Sequence, residues 1–69
     1  MSGKNTVNLN GTPTEGTGMN LDEFLKAEGF NKALVAVGVN GKVTRKDEYT
    51  SLILKDGDEV EVFKFMGGG

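Results

Sequence analysis

Two asparagine-glycine pairs, each directly after an alternating segment, constrain the fold of this chain most strongly. Asn10-Gly11 follows the segment 6–9, TVNL, and Asn40-Gly41 follows the segment 33–39, ALVAVGV, which is predicted as a strand from Ala33. Alternation of apolar with polar or small residues predicts β-strands that turn one face toward a core. The two central positions of a tight hairpin turn need positive φ, which Asn and Gly tolerate best. The chain therefore contains two predicted β-hairpins.

The remaining strands are shorter or less regular. Segment 12–15 returns from the first turn as an edge strand, because Pro13 cannot donate to a strand ladder. Segment 42–44 returns from the second turn, and segment 59–66 forms the last strand after an Asp56-Gly57 turn. We expect Tyr49 to anchor a single helical turn between these two strands.

One helix, spanning 21–28, is predicted between the hairpins. Asn20 is its expected N-cap, Glu23 lies at the third helical position, and Gly29 supplies the left-handed residue that ends it. Its apolar stripe consists of Leu21, Phe24 and Leu25. Two helical turns are not stable in isolation, so the helix has to pack across a sheet.

The element order ββαβββ predicts an α+β protein with the β-grasp fold, a mixed sheet of about five strands with one helix across one face. The first strand pairs in parallel with the last through a crossover that contains the helix. We expect one domain over 1–66, with 1–5 flexible, and a flexible glycine tail over 67–69. The predicted core residues are Val7, Leu9, Leu21, Phe24, Leu25, Phe30, Val35, Val37, Val39, Val43, Leu52, Leu54, Val60 and Val62.

Composition excludes several classes of function. A formal charge of -2 with scattered Lys and Arg argues against nucleic-acid binding, which requires clustered basic residues. The chain has no Cys and no His, so a zinc site, a disulfide framework and an imidazole base are all excluded. We also expect neither an apolar leader nor a membrane span. We expect a cytoplasmic protein that binds no metal or membrane and is a monomer when free.

The last strand carries more apolar residues than the core requires. Val60 and Val62 share the parity that faces the helix, so Phe63 and Phe65 are predicted to face the opposite side of the sheet. Two exposed rings would form a docking site for a partner protein, extended by Met66. The alternative is a bulge that turns both rings into the core.

Three glycines, Gly67, Gly68 and Gly69, end the sequence. A linker is one explanation for such a tail, but it follows the strand without a polar spacer and contains no Ser. Extended glycines would enter a channel too narrow for side chains. The terminal carboxylate is ionised at neutral pH and could attack an activated phosphate. We therefore predict that this carboxylate is the functional group.

Several of these segments resemble the ubiquitin-like sulfur carriers of thiamin biosynthesis. The matching segments are Ala36-Val37-Gly38-Val39-Asn40-Gly41, Val43-Thr44-Arg45, Tyr49, Asp56-Gly57-Asp58 and Phe65-Met66-Gly67-Gly68-Gly69. The ending is the most specific of them. This chain differs from the family pattern in its extra N-terminal residues, in Thr44 where many members have Pro, and in its third glycine.

The resemblance implies a carrier rather than an enzyme. An adenylating (E1-like) partner would use ATP with Mg²⁺ to activate the carboxylate of the Gly68-Gly69 end, and the carrier itself would bind no cofactor. A persulfide donor such as a cysteine desulfurase would supply sulfur for a thiocarboxylate at Gly69. Thiazole synthase would then take that sulfur for the forming thiazole.

Other functions remain open from the sequence. A molybdopterin-synthase small subunit, a tRNA-thiolation carrier or a protein modifier would share the fold and the Gly-Gly end. A β-grasp interaction module with inert glycines is a further alternative. An enzyme would have to use the carboxylates of Asp56, Asp58, Glu59 and Glu61 as acid, base or cation ligands, but a turn followed by a solvated strand face explains them better.

Overall fold

The computed structural model describes residues 6–64, which form a five-stranded sheet and one α-helix. The elements in chain order are β1 (Thr6–Leu9), β2 (Thr12–Glu15), α1 (Leu21–Ala27), β3 (Val35–Val39), β4 (Lys42–Thr44) and β5 (Glu59–Lys64). Two short 3-10 turns, Lys32–Leu34 and Lys46–Glu48, precede β3 and follow β4. No helix within residues 6–64 is long and apolar enough to cross a membrane.

Strand β5 lies at the centre of the sheet, whose order is β2-β1-β5-β3-β4. It runs parallel to β1 on one side and antiparallel to β3 on the other. Both outer strands are the returning arms of the two hairpins. The predicted α+β β-grasp architecture, with parallel pairing of the first and last strands, is therefore confirmed.

Both predicted hairpin turns and the helix cap are present. Asn10 and Asn40 have φ of 49° and 53°, and the glycine after each also has positive φ. Asn20 Oδ1 accepts a hydrogen bond from the backbone N–H of Glu23 at 2.8 Å, which satisfies one free donor at the start of α1. The helix ends at Ala27, one residue earlier than predicted, and Gly29 follows with φ of +87°.

The core lies between α1 and one face of the sheet, and it contains most of the predicted residues. Its buried members are Val7, Leu21, Phe24, Leu25, Val35, Val37, Val39, Tyr49, Leu54, Val60 and Val62. Leu9, Met19, Phe30 and Leu52 pack against them and are partly buried. Tyr49 anchors the turn after β4 as expected and is 1% exposed, so it belongs to the core itself.

The assignment of Val43 to the core was wrong, because Val43 is 83% exposed. The two-residue turn pairs Val39 with Lys42 and therefore Gly38 with Val43. Directly paired residues share a face of the sheet, so Val43 lies on the side away from α1. The inward position of β4 is taken by Thr44, which pairs with Val37 and is buried.

The beginning of the third strand also differs from the prediction. The strand was expected from Ala33, but residues Lys32–Leu34 form a 3-10 turn and β3 begins at Val35. Asn31 causes this difference, because its side-chain oxygen accepts from the Ala33 N–H at 3.0 Å and caps the turn.

Candidate functional site

The candidate site begins on the face of the sheet that α1 leaves uncovered. Phe63 lies there, directly opposite Ala36 on β3, and its side chain is 57% exposed. The pairing of β3 with β5 is continuous from Val39–Val60 to Val35–Lys64, so no bulge interrupts it. The outward orientation predicted for Phe63 is therefore observed.

The remaining predicted site residues lie outside the part of the chain that the structure describes. They are Phe65, Met66, Gly67, Gly68 and Gly69. Their assignment as docking residues, tail and reactive end remains a prediction, as does the docking role of Phe63. The same holds for the expected boundaries at residues 1–5 and 67–69. Lys64, the last residue of β5, leads directly into this segment.

Phe63 belongs to an apolar surface that we call the open-face patch, made of Ala36, Gly38, Val43 and Phe63. Gly38 pairs with Val43 on one side and with Glu61 on the other, and it has no side chain to fill the space between them. The large side chains of Val43 and Phe63 therefore lie beside the small residues Ala36 and Gly38. Exposed apolar surface is one mark of a protein docking site, so this surface is where the predicted docking would occur. Counting residue pairs outward from the Asn40-Gly41 turn places Val43 opposite Gly38, so the sequence alone could have assigned Val43 to this face.

Acidic side chains follow the same face along β5. Glu59 and Glu61 are exposed and share the parity of Phe63. Glu59 Oε2 accepts a hydrogen bond from Asn8 Nδ2 of β1 at 2.9 Å. The open-face patch therefore has a row of negative charge next to it, at the end away from the tail.

Asp58 and Asp56, the other two of the four carboxylates weighed as possible catalytic groups, have structural roles. Asp58 is buried and accepts from Asn40 Nδ2 at 3.0 Å and from the Lys55 N–H at 2.8 Å. Burial opposes ionisation of Asp58, but these two hydrogen bonds and the Lys55 charge outweigh it and hold the pKa of the carboxyl below its usual value. Asp56 accepts from the Thr6 N–H at 3.3 Å. Among residues 6–64, no three Asp, Glu, His or Cys side chains lie close enough together to hold a metal ion.

Two asparagine side chains hold β5 in its place in the sheet. Asn10 Oδ1 accepts from the Val62 N–H at 2.9 Å, and Asn10 Nδ2 donates to the Val62 carbonyl at 3.4 Å. Asn40 Oδ1 accepts from the Glu59 N–H at 2.9 Å. These contacts continue the strand ladder where β1 and β3 turn away. The sequence predicted both residues as turn formers but not as supports for the strand that carries Phe63.

Comparison with known proteins gives one family and several relatives. The model of the ThiS family matches residues 7–69 of this chain. A thiazole synthase from Magnetococcus marinus is 36% identical over 64 residues, which is 91% of this chain but only 20% of that protein. The chain therefore spans about a fifth of the length of this relative.

Two solved structures have the same fold as this chain. A crystal structure of the thiamine biosynthesis protein ThiS from Geobacter metallireducens has a TM-score of 0.78 and 34% sequence identity, with 93% of this chain and 99% of that chain covered. A solution NMR structure of a thiamine biosynthesis protein from the same organism has a TM-score of 0.73 and 37% identity, with coverage of 93% and 87%. Fold and sequence thus point to the same group of proteins.

Proposed function

This chain belongs to the ThiS family of thiamin-biosynthesis sulfur carriers, and we propose that its working group is the carboxylate of Gly69. A partner enzyme adenylates this carboxylate, and a thiocarboxylate then replaces it and donates sulfur for thiazole formation. The observation that carries the proposal is that the family match extends through Gly67, Gly68 and Gly69.

The chemistry needs little from the carrier itself. A Gly69 carboxylate oxygen attacks the α-phosphorus of ATP and pyrophosphate leaves, which gives an acyl-adenylate. A sulfur nucleophile then attacks the acyl carbon and AMP leaves: sulfide gives the thiocarboxylate directly, whereas a donor persulfide gives an acyl disulfide, from which a thiol reductant releases the thiocarboxylate. Mg²⁺ and basic groups of the partner neutralise the charge on the transferring phosphate, and a water-excluding site protects the intermediate. Glycine at the acyl position leaves the carbonyl open to attack.

Binding to the partner requires a surface other than the tail. Ordering three glycines costs about 1 to 2 kcal/mol each, so insertion of the tail alone provides little affinity. The open-face patch supports docking here, because Phe63 is exposed and lies just upstream of Phe65, Met66 and the glycines. We assign Phe63, Phe65 and Met66 to contact with the adenylating enzyme. Glu59 and Glu61 would then face basic residues of that enzyme.

Thiazole synthase is the proposed acceptor of the sulfur. A segment similar to this chain lies within the much longer thiazole synthase of Magnetococcus marinus, which supports a partnership between the two activities. A cysteine desulfurase or another persulfide donor would supply the sulfur. The similarity to thiamine biosynthesis proteins favours this pathway over molybdopterin synthesis, tRNA thiolation and protein modification.

Intact-mass measurement tests the proposed reaction. The full chain is incubated with ATP, Mg²⁺, the adenylating enzyme of the same organism and sulfide. We expect its mass to rise by the difference between one sulfur and one oxygen atom, and omission of ATP should abolish the change. The Gly69 deletion variant provides the control for the site. An unchanged mass of the full chain with its cognate enzyme, or equal sulfur uptake by the deletion variant, would contradict the assignment.

A further inference from the structure

The two hairpin asparagines share a chemical susceptibility to deamidation as well as a turn geometry. Asn10 and Asn40 are both exposed, and each is followed by a glycine. The nitrogen of that glycine can attack the asparagine side-chain carbon, because no Cβ on the glycine hinders its approach. The attack expels ammonia and closes a cyclic succinimide. Water then opens the ring to aspartate or isoaspartate, so that one amide is exchanged for one carboxylate without oxidation or reduction.

The fold holds the two side-chain amides with unequal strength. Both oxygens accept a backbone N–H at 2.9 Å, from Val62 for Asn10 and from Glu59 for Asn40. The nitrogens differ: Asn10 Nδ2 is 3.4 Å from the Val62 carbonyl, whereas Asn40 Nδ2 donates to the Asp58 carboxylate at 3.0 Å. A hydrogen bond to an ionised acceptor is about twice as strong as a neutral one.

Asp58 also opposes the reaction electrostatically. Ring closure passes through an anionic tetrahedral intermediate at the asparagine side chain, and a carboxylate next to that atom raises its energy. Aspartate at position 40 would place a second negative charge against Asp58. The neutral Val62 carbonyl beside Asn10 carries no full charge and opposes the anion less.

We propose that Asn10 is a deamidation site of the folded protein and that Asp58 protects Asn40 from the same reaction. The consequence reaches the strand that precedes the tail, since aspartate at position 10 cannot donate to the Val62 carbonyl. Isoaspartate would also route the backbone through the side chain, and the added methylene would disrupt the two-residue turn. This inference is independent of the proposed sulfur chemistry.

Peptide mapping of the full chain, aged in a mildly alkaline buffer, measures both sites in one sample. We expect Asn10 to deamidate roughly fivefold to tenfold faster than Asn40, the factor set by one stronger hydrogen bond and the adjacent charge. In concentrated urea the two rates should become about equal, because both asparagines then precede glycine in an unfolded chain. Equal rates in the folded protein, or faster reaction at Asn40, would overturn the proposal.

Asp58→Asn separates the effect of Asp58 from general loosening of the fold. We expect this variant to raise the rate at Asn40 relative to Asn10, whereas overall destabilisation would raise both together. Glu23→Gln removes the same charge from the exposed side of α1 and should leave the ratio unchanged. An unchanged ratio in Asp58→Asn would show that Asp58 does not protect Asn40.

Discussion

The two faces of the sheet differ in how much their apolar side chains contribute to the stability of the fold. On the side of α1, Val60 and Val62 of β5 are buried in the core, whereas Phe63 and Val43 on the other side are exposed. A buried apolar side chain contributes about 1.5 to 3 kcal/mol relative to an exposed one, so stability resides on the helix side. The open-face patch is free of that constraint. Its apolar residues are therefore available for contact with a partner protein.

Two phenylalanines, one on each face of the sheet, should differ most in their contribution to stability. Phe24 is fully buried under the sheet and Phe63 is mostly exposed. We expect Phe24→Ala to lower the free energy of unfolding by about 3 to 5 kcal/mol, because it leaves a cavity in the core. Phe63→Ala should change it by less than about 0.5 kcal/mol. Urea denaturation of both variants makes the measurement.

Phe63→Ala should instead weaken binding of the carrier to the adenylating enzyme. We expect a higher KM for the carrier in pyrophosphate release, with the fold intact by circular dichroism. A Phe63→Ala variant that keeps the wild-type KM would remove the open-face patch from the proposed interface. A large loss of stability in Phe63→Ala would show that apolar side chains on both faces stabilise the fold.

Two glycines, one packed against the core and one on the open face, should differ in the same way by a smaller amount. A Cβ at Gly16 would lie 2.5 Å from two atoms of the Phe24 ring, whereas a Cβ at Gly38 would lie 3.4 Å from the Lys42 carbonyl. We expect Gly16→Ala to destabilise the fold by about 1 to 3 kcal/mol, as crowding of a packed core does.

Gly38→Ala is the matched control on the open face, and it should change the thermal midpoint little. The glycine pair fails as a test of the comparison if both variants melt alike. A shift confined to Gly38→Ala would mean that the open face is the more tightly packed of the two.

Acid sensitivity gives the smallest expected effect. The pKa of Asp22 is lowered, chiefly because Lys32 donates a hydrogen bond to its carboxylate at 2.8 Å. Burial of Asp22 acts in the opposite direction and raises the pKa, whereas the charge of Lys26 lowers it further. A lowered folded-state pKa means that Asp22 contributes stability above its unfolded pKa and loses it as pH falls through the folded value. Stability should therefore decline below about pH 4.

The charge of Lys32 can be removed to check this cause. Lys32→Met should flatten the acid limb of a plot of urea midpoint against pH, whereas Lys42→Met on β4 should leave its slope unchanged. Equal slopes in wild type and Lys32→Met would show that the ion pair does not contribute to acid unfolding.

Much of the fold was predictable because local signals agreed with the packing. Asn10, Asn40 and Asn20 each have a short-range reason to occupy a turn or a cap, and the alternation of β3 and β5 identifies their buried faces. Val43 was misassigned because hydrophobicity alone does not give the parity of a three-residue strand, which the register of the turn sets. Asn31 similarly replaced the first residues of the expected strand with a capped turn.

The candidate site was less predictable than the fold. The parity of Phe63 followed from its neighbours in the strand, and the structure has it exposed opposite Ala36. The supporting role of Asn10 and Asn40 could not be predicted, since it depends on contacts about fifty and twenty residues away along the chain. Such contacts arise only when the crossover brings β5 between the two hairpins.

Transfer of labelled sulfur tests whether the Gly69 end carries sulfur to the thiazole. The carrier is loaded with isotopically labelled sulfur at Gly69, purified, and added to thiazole synthase and its other substrates without any second sulfur source. We expect the label to appear in the thiazole and the carrier to return to its original mass. A thiazole product without label, or a carrier that keeps its sulfur, would contradict this role of Gly69.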